Sequence, residues 1–322
     1  MKYAYVMAVS AVLMLISACS SESFEPLPKE TSIISTVNIK DMTISFYDFD
    51  NGEKLSDWNI GHPYIGGIIM PDKETFLLYG KTMETVDLYS LSKGKKIASW
   101  ETGKGIVNGI LVNEGKEIAF ADQTRHSVRF FRMDGKEADE IKIGKNPLSL
   151  LDDGEGRLYV MSYNHEDLRI IDLKDKKEVR GFTIHPAAAG AILNRENNEL
   201  WIGGHGEGTI AEEKIHIYDL SSGKLKNEIS APVMPVNFER GEEEIFVLSH
   251  GSSTLYKLGL NGEKKGSMKV GANPFEIQMF NGKLIIAGYD SNDLYIIDPD
   301  TLKIENKVKV GKGPFQIVPR ER

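Results

Sequence analysis

The chain closes on Val310 to Arg322, VGKGPFQIVPRER, whose first part opens in the same way as Val270 to Phe280, VGANPFEIQMF. The earlier stretch runs on through LYIIDP and arrives at VGKGP, so a unit begins at Gly311 and stops after the length of one strand. Where the remainder of that unit lies decides the architecture.

Working back from that point, one strand with alternating apolar positions recurs as ISFYDF, VDLYSL, VRFFRM, LRIIDL, IHIYDL, LYKLGL and LYIIDP. Its equivalent positions are Tyr47, Tyr89, Phe131, Ile171, Tyr218, Leu258 and Ile297, spaced by 42, 42, 40, 47, 40 and 39 residues. A closing turn follows in each unit: NIGHP, WETGKG, KIGKNP, TIHP, ISAP, KVGANP and KVGKGP. Six units between Gly61 and Gly311 average about 42 residues, a period that suits propeller blades. In the clearest unit LSLLDD, RLYVMS, DLRIIDL and EVRGFTI read as four strands, with DGEG and KDKK as hairpin turns. Such a meander cannot bury both faces alone, and radial stacking around an axis covers them.

The missing piece is then at the other end of the chain. SIISTVN, TISFYDF and KLSDWNI correspond to strands two, three and four of a blade, and FQIVPRE supplies strand one. The expectation is an all-β, seven-bladed β-propeller of four-stranded blades over residues 31 to 322, closed by a blade shared between the termini, which hides otherwise open sheet edges. In the closing turn, Gly allows a positive φ or a tight approach, and Pro stiffens entry into the inner strand.

These residues carry a resemblance. GRLYVMSYNHEDLRIIDLKDKKEV and GKLIIAGYDSNDLYIIDPDTLKIENKVKVGKGPFQIV resemble YVTN-type β-propeller repeats, the YncE-like family of exported seven-bladed propellers. The chain departs from the pattern with YVMS, IIAG and FVLS at the eponymous position, and with His185 and Ala231 where Gly would precede the closing turn. The resemblance implies the fold; function must come from the site, because propellers host scaffolds, hydrolases and redox enzymes alike.

The start reads differently. MKYAYVMAVSAVLMLISAC has one positive charge at Lys2, an apolar run from about Val6 to Ile16 and small residues before Cys19, which is signal-peptide grammar. Ile16-Ser17-Ala18-Cys19 resembles the bacterial lipobox, so residues 1 to 18 are expected as a signal peptide, Cys19 as the lipidated residue and 19 to 30 as a polar tether. Cys19 is the only cysteine among 322 residues, so neither disulfides nor thiolate metal cages are expected. The expected location is a cell membrane, outside the cytoplasm, held by lipid alone. A net charge of −8 argues against nucleic acid bound through a basic surface.

Catalytic motifs are absent: there is no GxSxG, HExxH or P-loop. IGGHGEG follows a strand with no helix behind it, and YDFDNGEK reads as a hairpin turn. Histidine placement is more informative. In a propeller the turns from strand two to three and from strand four to the next strand one share a face. His126, His165, His205 and His250 fall at the first kind, His62 and His185 at the second, and only His216 falls in a strand. Tyr163, Tyr289 and Asp290 join them on that face, as does the one long insertion, GGHGEGTIAEEK, and insertions tend to mark a working face. The histidines precede the strand-three landmark by unequal offsets of 5, 6, 13 and 8 residues, hence at unequal distances from the axis. A polar recognition surface of His126, Tyr163, His165, His205, His250, Tyr289 and Asp290 is therefore expected, for a protein or cell-envelope component, with no cofactor and no metal ligand assigned. The alternative is a propeller enzyme, a metal-dependent oxidoreductase or a lactonase-like hydrolase, using the same face. The opposite face, with turns such as NEGKE and RGEEE, is mixed-charge solvated surface.

Overall fold

The structure, a computed structural model, describes residues 23 to 322 apart from residue 164. Seven four-stranded antiparallel sheets follow one another along the chain, and a two-stranded hairpin of Gly206–Glu207 and Ile210–Ala211 stands beside the fourth. In chain order, blade one runs from Gly66 to Glu101, blade two from Ile106 to Lys142, blade three from Pro147 to Phe182, blade four from Ala188 to Ser230, blade five from Pro235 to Lys269 and blade six from Pro274 to Lys309. Blade seven is composite. Its inner strand, Pro314–Arg320, pairs antiparallel with Ile33–Asn38, which pairs with Thr43–Asp48 and then Glu53–Asn59. The fold is a seven-bladed β-propeller.

The reason these segments stack lies in their alternation. Along Thr75–Tyr79, Phe76 and Leu78 pack with Phe46, Trp58 and Tyr89 toward blade seven, whereas Leu77 and Tyr79 pack with Ile118, Phe120 and Phe131 toward blade two. The same division holds around the ring, giving seven apolar clusters, each between two neighbouring blades. Strands buried on both faces read as continuous apolar runs, and here a side-chain period of two serves two separate cores. Near the strand-three landmark every blade shifts register against its outer strand, as between Phe130 and Phe131 or Ile296 and Ile297. Such bulges add local twist to the outer edge.

Both expected roles of the closing-turn glycine occur, in different blades. The residue before the inner strand is often left-handed, with φ of 52°, 58°, 47° and 67° at Asn146, Met234, Asn273 and Gly313, each followed by Pro, and the closing-turn glycines Gly61, Gly103 and Gly144 have positive φ as well, at 68°, 70° and 105°. Gly311 serves close approach instead, since a Cβ there would stand 2.2 Å from Thr43 Oγ1.

Part of the segment that precedes the first strand packs on the propeller. Phe24 stacks on Trp58 at 5.1 Å, Leu27 is buried at 4% exposure, and the backbone N–H groups of Phe24 and Leu27 donate to the carbonyls of Gly94 and Leu91. Trp58 Nε1 donates to the Glu25 carbonyl at 2.9 Å, and Arg320 donates to the carbonyl of Thr31 at 2.8 Å. Apolar Phe24 and Leu27, set among polar and proline residues, thus dock this segment over the junction of blades seven and one. Cys19 and the expected signal peptide lie outside the described residues.

Candidate functional site

The inner strands line the axis with polar side chains, several of which tie one blade to the next. Asn108 Nδ2 donates to the Leu148 carbonyl at 3.0 Å, Ser149 Oγ to the Ala189 carbonyl, Asn237 Nδ2 to the Phe275 carbonyl at 3.2 Å, and Gln316 Oε1 accepts from the Gly67 N–H at 2.6 Å. Two carboxyls share this channel. Asn237 also donates to Glu276 Oε2 at 2.7 Å. Burial pushes the Glu276 carboxyl up to about 8, the Asn237 hydrogen bond opposes the rise, and the charge of Glu239 adds to it. Part of Glu276 faces the channel, where water softens that burial.

At one mouth of the channel, the turn residues assemble into a run of rings. Tyr163 meets His205 edge-on at 6.5 Å, His205 meets His250 at 5.9 Å, and both imidazoles abut Phe275, at 6.3 and 5.7 Å. Phe275 stacks on Phe315 at 4.6 Å and touches Tyr289 at 6.3 Å. Beyond Tyr289, Lys40 Nζ sits 4.2 Å from the ring centroid and pairs with Asp290 at 2.7 Å, holding the Asp290 carboxyl below its ordinary range. The run crosses blades three to seven. Its rings are half-buried, so they present faces and edges while remaining fixed by their strand ends. Burial and the neighbouring His250 lower His205, so its imidazole is held neutral.

Five of the seven residues expected from sequence, Tyr163, His205, His250, Tyr289 and Asp290, are therefore brought together. Among the described residues, His126 and His165 do not join the run: His126 is exposed at the blade-two turn with φ of 56°, and His165 stands at the edge of the blade-three turn. Sequence reasoning missed Phe275 and Phe315, although both follow the closing turn at the same position, NPF and GPF. Reading that position as strand entry concealed that its side chain turns toward the mouth.

A second constellation lies further out on the same face. His185, in the turn entering blade four, Glu212, at the end of the insertion, and His216, on the third strand, place ligand-type atoms within 4.8 Å of one another. The rings of His185 and His216 stack at 3.9 Å with 21° between their planes. His216 Nε2 is 3.1 Å from Glu212 and Nδ1 is 3.2 Å from Glu228. Burial first, then the charge of His216, lowers His185 to about 4. No sequence motif carries these three, because the insertion folds back to deliver Glu212. On the opposite face, the cleft lined by Arg240, Glu242, Glu243, Pro299 and Asp300 is bounded by solvated charge and converges on no such donor set.

No family model matches the sequence, and no curated protein matches it. Solved structures do match. Apo AztD from Citrobacter koseri aligns over 90% of this chain and 98% of its own, with a TM-score of 0.61 and 13% identity. A functionally unknown protein from Desulfotomaculum acetoxidans DSM 771 aligns over 90% and 99%, at 0.72 and 14%. Kuenenia stuttgartiensis hydrazine synthase aligns over 94% and 100%, at 0.71 and 11%. At such identities the likeness carries the propeller fold alone. Among the described residues no helix is long and apolar enough to cross a membrane.

Proposed function

We propose that this chain is a lipid-anchored, extracytoplasmic propeller of the YVTN-repeat type that acts as a binding and scaffolding module. Cys19 carries the lipid, and the ring-lined mouth takes a protein or cell-envelope component. The observation that carries the reading is the continuous run from Tyr163 through His205, His250 and Phe275 to Phe315 and Tyr289. Aromatic groups fixed on rigid strand ends contribute large contact area at small entropic cost, and such groups dominate recognition surfaces. Beside them Ile210, at the tip of the insertion hairpin, is 78% exposed, an apolar contact offered to a partner. The lipid reading rests on the Ile16-Ser17-Ala18-Cys19 grammar and on the absence of any other cysteine.

The test is photo-cross-linking in intact cells from a photoreactive residue at Tyr163 or Tyr289, with Lys116 on the opposite rim as the reference position. The expected result is a discrete adduct from the first two positions that Phe275→Ala with Phe315→Ala abolishes. Equal capture from both rims would overturn the reading. A second reading, an enzyme, is favoured by the two histidines and a carboxylate clustered at blade four and by the shared fold with hydrazine synthase. Substrate turnover that depends on His216 would support it.

A further inference from the structure

The blade-four constellation has a feature that a neutral imidazole alone does not satisfy. A neutral imidazole carries one N–H and can donate one hydrogen bond, yet both nitrogens of His216 face carboxylates, Glu228 at 3.2 Å and Glu212 at 3.1 Å. Whichever nitrogen carries the N–H, the other turns its lone pair on a carboxylate oxygen, Glu212 beside Nε2, where the geometry suits a hydrogen bond, or Glu228 beside Nδ1, and a shared cation resolves the conflict. A proton is one such cation. A metal ion is the other, and three observations favour it.

His185 is the first. Both of its ring nitrogens are buried without a well-formed hydrogen bond among the described residues, and the backbone of Gly203 offers only a weak interaction. Buried polar atoms without partners are uncommon and call for a missing one. Second, Glu228 stands 3.2 Å from Nδ1, placed to take the N–H when Nε2 is given to a metal ion, as carboxylates do behind metal-bound histidines. Glu228 is itself held by Lys214 at 2.6 Å, so it is a positioning residue. Third, the backbone of Glu212 is pinned from two sides, with its N–H donating to the His205 carbonyl at 3.1 Å and its carbonyl accepting from Met234 at 2.6 Å. The carboxylate is thus presented by a fixed loop end.

We propose that His185, Glu212 and His216 form a binding site for a divalent transition cation of the zinc class. Two imidazole nitrogens and one carboxylate oxygen match the preference of such an ion, and three protein ligands leave a fourth position open. The near-parallel stacking of the two rings means that His185 turns about its Cβ–Cγ bond on binding, and no well-formed hydrogen bond of its ring resists the turn. Glu212 and His216 remain 17% and 12% exposed, so the open position faces solvent and the ion is exchangeable. This site is separate from the ring-lined mouth and stands or falls independently of it. The two adjoin through His205, whose carbonyl holds the Glu212 backbone.

The experiment uses the full chain, purified in detergent without a metal-binding tag and stripped with chelator. Zn²⁺ is titrated by calorimetry, and Co²⁺ by visible absorption. One Zn²⁺ per chain and an intense four-coordinate Co²⁺ band are expected. His185→Gln and His216→Gln should each weaken Zn²⁺ binding by about 100-fold or more, and Glu212→Gln and Glu228→Gln by roughly 10-fold or more. His126→Gln, on the same face but outside the site, should change nothing. Absence of Zn²⁺ binding by the unaltered chain, or binding unchanged by the His185, Glu212 and His216 replacements, would overturn the proposal. Should a replacement prevent folding, ring-nitrogen NMR of the unaltered chain decides: Zn²⁺ should shift the resonances of His185 and His216, and unshifted resonances would sink the site.

Discussion

Asn237 and Glu276, on the inner strands of adjacent blades, meet in the axial channel through a 2.7 Å hydrogen bond from the amide to the carboxyl. Burial raises this carboxyl from its ordinary 4.5 to about 8. The folded protein therefore holds a proton that the unfolded chain has released across that window. Stability from this group is fully present below about pH 4.5 and is lost as pH rises toward 8. Glu276→Gln keeps an acceptor for Asn237 and removes the titration. The variant should match the parent at pH 5 and exceed it at pH 8, by on the order of 2 kcal/mol. Melting curves between pH 5 and 9 check this, and parallel pH profiles for the two proteins would refute it.

Arg129 is 1% exposed and joins Asp122, which is 0% exposed, at 3.0 Å while also binding Glu137 at 2.7 Å and the Thr102 carbonyl at 2.6 Å. Removing one member of a buried pair leaves the other charge without compensation. Arg129→Met should cost about 3–5 kcal/mol in urea denaturation, and adding Asp122→Asn should recover a large part of the loss. A loss below 1 kcal/mol for Arg129→Met would mean that the pair is not a determinant of blade two.

Leu27, at 4% exposure, packs into the cluster of Phe46, Trp58 and Phe76. Leu27→Ala should destabilise the whole domain by about 2–4 kcal/mol. The segment before the first strand would then count as part of the fold, which limited proteolysis of parent and variant can show independently.

Cys19→Ala should release the protein from the membrane fraction while leaving its melting temperature unchanged, because the proposed anchor is covalent lipid and not a helix. Retention in the membrane fraction after this replacement would refute the anchor.

Phe275→Ala should cut cross-linking from the mouth by at least 10-fold. The cost in stability should be smaller than that of Leu27→Ala, since Phe275 and its partners Phe315 and Tyr289 are only half-buried. Loss of folding and capture together would assign Phe275 to the core instead.

Much of the fold was legible because each blade repeats a local rule. The alternation around Tyr47, Phe131 and Ile297 and the turn before each inner strand are short-range signals, and the shared seventh blade followed from counting what each terminus lacked. The site was legible only where a turn residue stays at its turn: Tyr163, His205, His250 and Tyr289 meet because equivalent turns converge on one mouth. Phe275 and Phe315 were hidden by strand context, since an aromatic residue after Pro looks like core. The trio of His185, Glu212 and His216 was not legible at all. It depends on how the hairpin at Gly206–Ala211 folds back, a tertiary outcome without a periodic signature. The docking of Phe24 and Leu27 escaped for a related reason, because neither belongs to the repeat.

The pairing of Pro314–Arg320 with Ile33–Asn38 bears on how the molecule is made. Synthesis delivers Ile33–Asn38 well before Pro314–Arg320, so the ring cannot shut until that later strand has been produced. Until then Ile33–Asn38 keeps a bare strand edge, able to pair with a neighbouring nascent chain. A prematurely terminated product keeps that edge permanently, and so marks itself for aggregation or proteolysis. Pro314–Arg320 thus doubles as the clasp that retires an exposed edge during folding.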